Sequence, residues 1–501
     1  MKGSYMSDIN SEPEGFQPGI LTIDGMTLTC HDVAEFASGR YQIQLSQEAL
    51  GAVERGWRLT NEAASKQLVY GRSTGVGGNK SEVVEVDAAS GHGARLLRSH
   101  AVGVGELMSD EHTRAMMVIR CNQLAVGRAG THPRVLQGLV GALNGGCLPN
   151  VHRIGAIGTG DLTALAELGL TLAGVRPWRV NPVPAIPVDD GDALAFMSSS
   201  AATLAEAALA TVDLRRLLHA SHVVAALSFA AMGGCAEAYA AAVHTTRSHS
   251  GQVQCAHHMA ELLGIGEQPT PGRAIQDPYG LRAFPQVQGV VLDAAQQLDD
   301  VLAIEINAGA ENPMVSPADG KIYHHGHFHG AYVAVGLDHL RNAVSHVAHL
   351  STARLSQLMK PTQTDLPAFL ASGAPGSSGV MILEYVAHDA LAELRHAAMP
   401  VTTGAAVISL GMEDHASFST QAARQAVRAA AQYRIVLACE LVAAVRALSM
   451  RPASLNGLPL QPTFERLAAG LDASLEDREL TEDITRAAIM LDDLDDPGQA
   501  A

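Results

Sequence analysis

Between Leu337 and Lys360 the chain carries neither proline nor glycine. Val333, Leu337, Leu340, Val344, Val347 and Leu350 recur there at spacings of three and four, and Leu355 and Leu358 resume the stripe. That period places the apolar side chains along one face of an α-helix. A helix of about 24 residues is about 35 Å long, and comparable runs occupy roughly 201–232, 287–307, 379–397 and 420–450. Helices of this length bury their faces on one another, so the expected fold class is mainly α: a long antiparallel helix bundle with a smaller N-terminal region containing α/β elements. Apolar faces left over on such a bundle favour self-association.

The rest of the composition agrees with that expectation. Hydrophobic residues make up 47% of the 501 and aromatics only 4%, so the core is built of alanine, leucine and valine, strong or tolerated helix formers. The formal charge of −17 argues against nucleic acid or an anionic membrane as the main partner. Between Asp472 and Asp496 ten acids face two arginines, a pattern expected of a solvated or frayed helical end rather than of catalytic machinery. Cys30, Cys121, Cys147, Cys235, Cys255 and Cys439 include no CxxC pair and are expected to be reduced, buried thiols. Met1 to Gly19 is polar, with Pro13 and Pro18, and the apolar stretches are broken by polar residues before membrane length; a cytoplasmic location with no membrane partner is expected.

The expected organisation is a disordered tail over 1–19, an N-terminal domain over 20–200, a central helical bundle over 201–460 and an acidic helical segment over 461–501. "ILTIDGMTLT" (Ile20 to Thr29) alternates like a small hairpin with Asp-Gly at its turn. "YGRSTGVGGNK" (Tyr70 to Lys80) invites comparison with a phosphate cradle, but Asn79 separates Gly78 from Lys80 and no strand feeds the loop. "YHHGHFHG" (Tyr323 to Gly330) sets four histidines within six positions, yet no carboxylate stands at helical ligand spacing and there is no HExxH, so no metal is expected. In "QDPYGLR" (Gln276 to Arg282) Pro278 sets a turn that presents Tyr279 and Arg282 together. A guanidinium grips a carboxylate and a phenol moves protons, which suits a small anionic substrate. In "GAIGTGDLTAL" (Gly155 to Leu165) two glycines flank Thr159 ahead of an expected helix start at Asp161-Leu162.

These segments share an order with a known family. Tyr70 with "STGVG", "RSHAVGVGE" (Arg98 to Glu106), "GDLTALAELGL" (Gly160 to Leu170), "QDPYGLRAFPQVQG" (Gln276 to Gly289), "ENPM" (Glu311 to Met314), "HFHG" (His327 to Gly330) and "MEDHAS" (Met412 to Ser417) resemble, in sequence and spacing, the aromatic amino acid ammonia-lyases and aminomutases, histidine ammonia-lyase most closely. The resemblance spans about 20–460 and implies a helical homotetramer with shared active sites. It also implies a self-derived methylidene-imidazolone, formed in that family from Ala-Ser-Gly. Here the matching positions are Gly158, Thr159 and Gly160, whose closure and dehydration would give the ethylidene variant; the alternative is an intact tight turn.

By the same resemblance Tyr70 is the base for the β-proton and Tyr279 the second site tyrosine. Arg282 is the carboxylate clamp, Asn312 its assistant, and Phe328 the aromatic beside the electrophile. Gln276 and Glu413 match, the glutamate as in the histidine enzymes, and Ser99-His100 resembles the histidine-type selectivity pair. Three positions depart: Ser198, His327 and Met412 stand where the family has asparagine, asparagine and glutamine. The function implied is non-oxidative elimination of ammonia from an aromatic or histidine-like L-α-amino acid, giving an α,β-unsaturated acid, by a carbon–nitrogen lyase. Two other classes stay open. One is a homologue without the electrophile that uses the same tyrosines for acid–base isomerisation, dehydration or cyclisation in specialised metabolism; the other is a non-catalytic carboxylate-binding homologue.

Overall fold

The computed structural model describes residues 19–84 and 91–494; the expected disordered tail lies outside them except for Gly19, which instead opens a strand. Seven helices frame the site: α1 (Asp110–Ala125), α2 (Leu162–Leu172), α3 (Ala201–Met232), α4 (Phe284–Ile306), α5 (Ala331–Leu358), α6 (Leu383–Ala398) and α7 (Ser419–Met450). The fold is mainly α, as the periodicity predicts. The 337–360 stripe forms most of α5, which begins six residues earlier, directly after Gly330.

At the centre α7 packs against α3, α5 and α6, while α4 lies against α5 and α3. Ala205, Ala208, Ala225 and Ala226 of α3 and Ala438, Ala443 and Ala444 of α7 are fully buried. Such small side chains let helix axes approach toward the short end of the usual range, about 8–10 Å. The stretch Asp192–Met232, most of it α3, passes by length and hydropathy as a membrane span, contrary to the expectation that no run does. Most of its apolar window is buried inside the protein, as suits a central core helix. One apolar cluster runs from Ile23 to Leu494.

A fully buried ion pair ties α5 to α7. Arg354 Nε and Nη2 donate to the two oxygens of Glu440 at 2.6 and 2.8 Å, and the hydroxyls of Ser228 and Ser351 donate to the same carboxylate at 2.7 and 2.6 Å. Arg354 Nη1 reaches Gly280 O at 3.1 Å, and the guanidinium stacks 4.9 Å from the centre of the Phe284 ring. A paired charge with each of its nitrogens hydrogen-bonded is tolerable in a core; an unpaired one is not.

One local expectation is corrected. Ile20 to Thr29 is not a hairpin: the strand Gly19–Ile23 pairs in parallel with Tyr41–Leu45, Ile20 opposite Gln42. The Asp24 carboxylate accepts the N–H groups of Met26 and Thr27 at 2.7 and 2.9 Å, and Thr29 with Asp32 caps the helix Cys30–Ala37, so a crossover helix replaces the return strand. The acidic end is a solvated helical one, as its charge pattern predicts: Asp472, Glu476, Asp477, Glu479, Glu482, Asp492 and Asp493 are exposed. It folds as Gln461–Gly470 and Thr481–Met490, with Arg478 paired to Asp483 and Arg434 to Asp492 at 2.8 Å. All six cysteines are buried and free, and burial pushes the thiols of Cys30 and Cys439 up to about 12.

Candidate active site

The Gly155–Asp161 loop sits where helix starts converge. Gly158 and Gly160 adopt φ of +85° and +103°, a left-handed backbone that folds the tripeptide tightly and that glycine enters without steric penalty. The Gly158 carbonyl accepts from Ser417 Oγ at 2.7 Å and from the Gly330 N–H at 3.1 Å. Ile157 O accepts from the Phe418 N–H at 2.9 Å and Ala156 O from Gln421 Nε2 at 2.9 Å. The expected helix start at Asp161-Leu162 is present, but the Asp161 side chain does not cap it. Its carboxylate instead accepts the N–H and hydroxyl of Thr203 at 2.7 and 2.8 Å, which ties the loop to the first turn of α3; burial nonetheless pushes the carboxyl upward. N-terminal ends of α2, α3, α5 and α7 thus surround the tripeptide, and their partial positive charge favours an anion there.

The packing around position 158 leaves room only for glycine. A Cβ on Gly158 would stand 2.1 Å from Ser417 Oγ and 2.6 Å from the Ser419 amide nitrogen, whereas one on Gly160 would meet nothing nearer than Ser199 O at 3.8 Å. Gly158→Ala is therefore expected to lower stability by roughly 2 kcal/mol or more, from backbone strain and overpacking together. An unchanged melting temperature would show that the serines give way. Among the described residues the Gly160 N–H and the Thr159 hydroxyl make no hydrogen bond, so the atoms that ring closure and dehydration use are unengaged. The residues present fit an imidazolone built from Gly-Thr-Gly.

Beside the tripeptide, Arg120 of α1 is fully buried. It donates to the Phe196 and Ala195 carbonyls at 2.9 and 2.7 Å and to Glu311 at 2.7 Å. This brings Ser198 against Asn312, whose N–H donates to Ser198 Oγ at 3.1 Å and whose Oδ1 accepts from the His325 N–H at 3.0 Å. The Phe328 carbonyl accepts from Ser200 Oγ at 3.3 Å. His327 is exposed, and its N–H donates to His325 Nδ1 at 3.0 Å. Among the described residues no group of three or more His, Cys, Asp or Glu is arranged to hold a metal ion.

Tyr70 lies on the glycine loop, half-buried, with its hydroxyl oxygen accepting the Gly77 N–H at 2.6 Å. Burial raises the phenol pKa, the Gly77 hydrogen bond opposes this, and the Glu413 carboxylate raises it further. Ser409 Oγ accepts the Gly78 N–H at 2.9 Å, while the Gly75 and Asn79 N–H groups bond Glu82 O and Val76 O, so these amides are taken up by the protein itself. Met412 Sδ lies 2.8 Å from Lys80 Nζ. The Tyr70 ring meets the His324 ring edge-on at 6.4 Å, which links this cluster to the 323–330 segment. Ser99 and His100 end the helix His92–His100; His100 Nδ1 bonds Leu96 O at 2.8 Å and meets Ser99 Oγ at 3.1 Å.

Gln276, Tyr279 and Arg282 are not brought to this place within one chain. Gly280 O is held by Arg354, near the far end of α5, while the tripeptide meets Gly330 at its start. The intervening 24 residues of helix separate the two groups by about 35 Å. Tyr279 is 68% exposed, and the Arg282 guanidinium stacks 4.7 Å from its ring centre; Gln276 is exposed as well. Ser417, Gly330, Gly77 and Ser409 are the site residues that motif reading misses. Ser417 ends the MEDHAS motif and Gly330 the HFHG motif, but nothing in the sequence joins their polar atoms to Gly158.

Comparison with known proteins accords with this geometry. The family model described as aromatic amino acid lyase matches residues 28–469. A histidine ammonia-lyase of Caldanaerobacter subterraneus subsp. tengcongensis is 30% identical over 93% of this chain and 95% of its own, and one of Geobacillus sp. is 31% identical over 95% and 97%. Among solved structures, the ergothioneine-degrading ergothionase of Treponema denticola superposes with a TM-score of 0.87 at 25% identity, covering 95% of this chain and 99% of that one. Tyrosine aminomutase from Streptomyces globisporus gives a TM-score of 0.87 at 26% identity, covering 95% and 97%. The chain is an ammonia-lyase-like carbon–nitrogen lyase and belongs to the aromatic amino acid lyase family.

Proposed function

We propose that this protein eliminates ammonia from a histidine-like or aromatic L-α-amino acid to give the α,β-unsaturated acid. One observation carries the reading: Tyr70 holds a half-buried phenol oxygen against the Gly77 N–H at 2.6 Å. That donor stabilises the phenolate, the form that removes a β-proton. Arg282 takes the substrate carboxylate and Tyr279 faces it from the same turn. Glu413, with Ser99 and His100, supplies polar partners for an imidazole side chain. The imidazolone, once formed from Gly158, Thr159 and Gly160, supplies the electron sink for the departing amine. Because Arg282 lies about 35 Å from the tripeptide in its own chain, the complete site takes Gln276, Tyr279 and Arg282 from a second subunit, within a cytoplasmic homotetramer.

One feature favours a second reading. Ser198, in place of the family's amide, is shorter and has its oxygen tied to the Asn312 N–H, so the electrophile lacks an amide donor there and depends on a single rotatable hydroxyl. A quaternary ammonium departs as a neutral tertiary amine when the β-proton is removed, and needs no electrophile to activate it. Ergothioneine, a betaine of an imidazole amino acid named for one structural relative, is of that class. The wild-type chain's intact mass separates the two. Loss of two waters, with release of an ultraviolet-absorbing acrylate from histidine, tyrosine or phenylalanine, supports the first reading. An unmodified mass, with turnover of the betaine alone, overturns it.

A further inference from the structure

We infer that Ser417 Oγ and the Gly330 N–H form the oxyanion hole in which the tripeptide closes its own ring. This rests on the proposed imidazolone but concerns a different step, the maturation of the chain. Closure needs the Gly160 nitrogen to attack the Gly158 carbonyl carbon. An unactivated peptide carbonyl resists such attack, because negative charge accumulates on its oxygen. Here that oxygen, in a pocket where Ser417 is 4% exposed, already accepts two convergent hydrogen bonds, at 2.7 Å from Ser417 Oγ and 3.1 Å from the Gly330 N–H. Both donors stand at helix starts: Gly330 precedes Ala331 of α5, and Ser417 lies two residues before Ser419 of α7. Prearranged donors and helix N-termini are what stabilise a tetrahedral oxyanion.

The steps balance. The Gly160 N–C(Gly158) bond forms, and the Gly158 C–O bond breaks. The oxygen leaves as water with the amide protons of Gly160 and Thr159, creating the ring C=N bond. Thr159 then loses its α-proton and its hydroxyl as a second water, leaving the ethylidene. No oxidant or co-reactant is required. Ser417 supplies the proton that the departing oxygen first takes and recovers one from the attacking amide. The absence of a Cβ at position 158 is part of the same device, since that atom would occupy the place of Ser417 Oγ.

The test is intact-protein mass followed over a time course after induction. The wild-type chain is expected to become lighter than its sequence by two waters. Ser417→Ala, checked for fold by circular dichroism, should lose them about 100-fold more slowly or not at all, the usual effect of removing one oxyanion donor. Ser417→Cys, nearly isosteric and with a weak donor, guards against misfolding of the alanine variant and should also lag. Ser419→Ala removes an equally buried hydroxyl that meets no acceptor and should mature like the wild type. Full dehydration of both Ser417 variants at the wild-type pace overturns the inference while leaving the imidazolone reading intact. An unmodified wild-type chain overturns both.

Discussion

Tyr70→Phe should lower kcat by about 10²–10⁴-fold, the span associated with a positioned general base, while KM changes little. The hydroxyl lies on the chemistry, whereas the carboxylate grip lies on Arg282, at the other end of α5. The variant also leaves the Gly77 N–H without its acceptor, so a melting curve should accompany the kinetics. Wild-type turnover should rise with pH: the base acts as phenolate, and burial with the Glu413 carboxylate holds its pKa above the ordinary tyrosine value. That rise should be missing from any residual activity of the variant. A Tyr70→Phe enzyme with wild-type kcat would remove the tyrosine from the reaction and, with it, the proposed proton transfer.

The largest stability effect is expected at Glu440. Replacing it by alanine strands the guanidinium of Arg354 and the hydroxyls of Ser228 and Ser351, all fully buried. Breaking a buried pair from one side costs about 3–5 kcal/mol, read as a lower midpoint in urea. Arg354 also holds Gly280 O at 3.1 Å, so the Tyr279–Arg282 turn should loosen and substrate affinity fall with stability. The double variant Arg354→Met, Glu440→Leu leaves no orphaned charge and should be less damaged than Glu440→Ala alone. Equal damage in both would mean that the charges matter less than the packing around them.

Much of this architecture is written in the spacing of apolar residues. The helices at 201–232 and 420–450 are found within a residue or so of where periodicity sets them, because long amphipathic or wholly apolar runs have few other ways to be buried. The 20–29 segment misleads because Asp-Gly reads as a hairpin turn when only neighbours are visible. Its true partner strand, Tyr41–Leu45, lies beyond a helix whose cap, Thr29, closes the alternating stretch. α3 misleads in the opposite sense: scattered Thr, His and Ser residues hide how apolar it is until its neighbours satisfy them. At the site, motif order names Tyr70, Asn312 and Glu413 as candidates. It does not reveal that the segments holding Arg282 and Thr159 lie against opposite ends of α5, nor that Ser417 meets Gly158 across 259 positions. Both are facts of tertiary closure, and no local pattern encodes them.

Every native thiol is sealed inside the protein, which leaves the outside chemically blank to maleimide reagents while the fold persists. A single cysteine introduced at exposed Leu410 or Ile275 would then be the sole attachment point for a fluorophore. Movement of either active-site edge could be followed in an otherwise wild-type background.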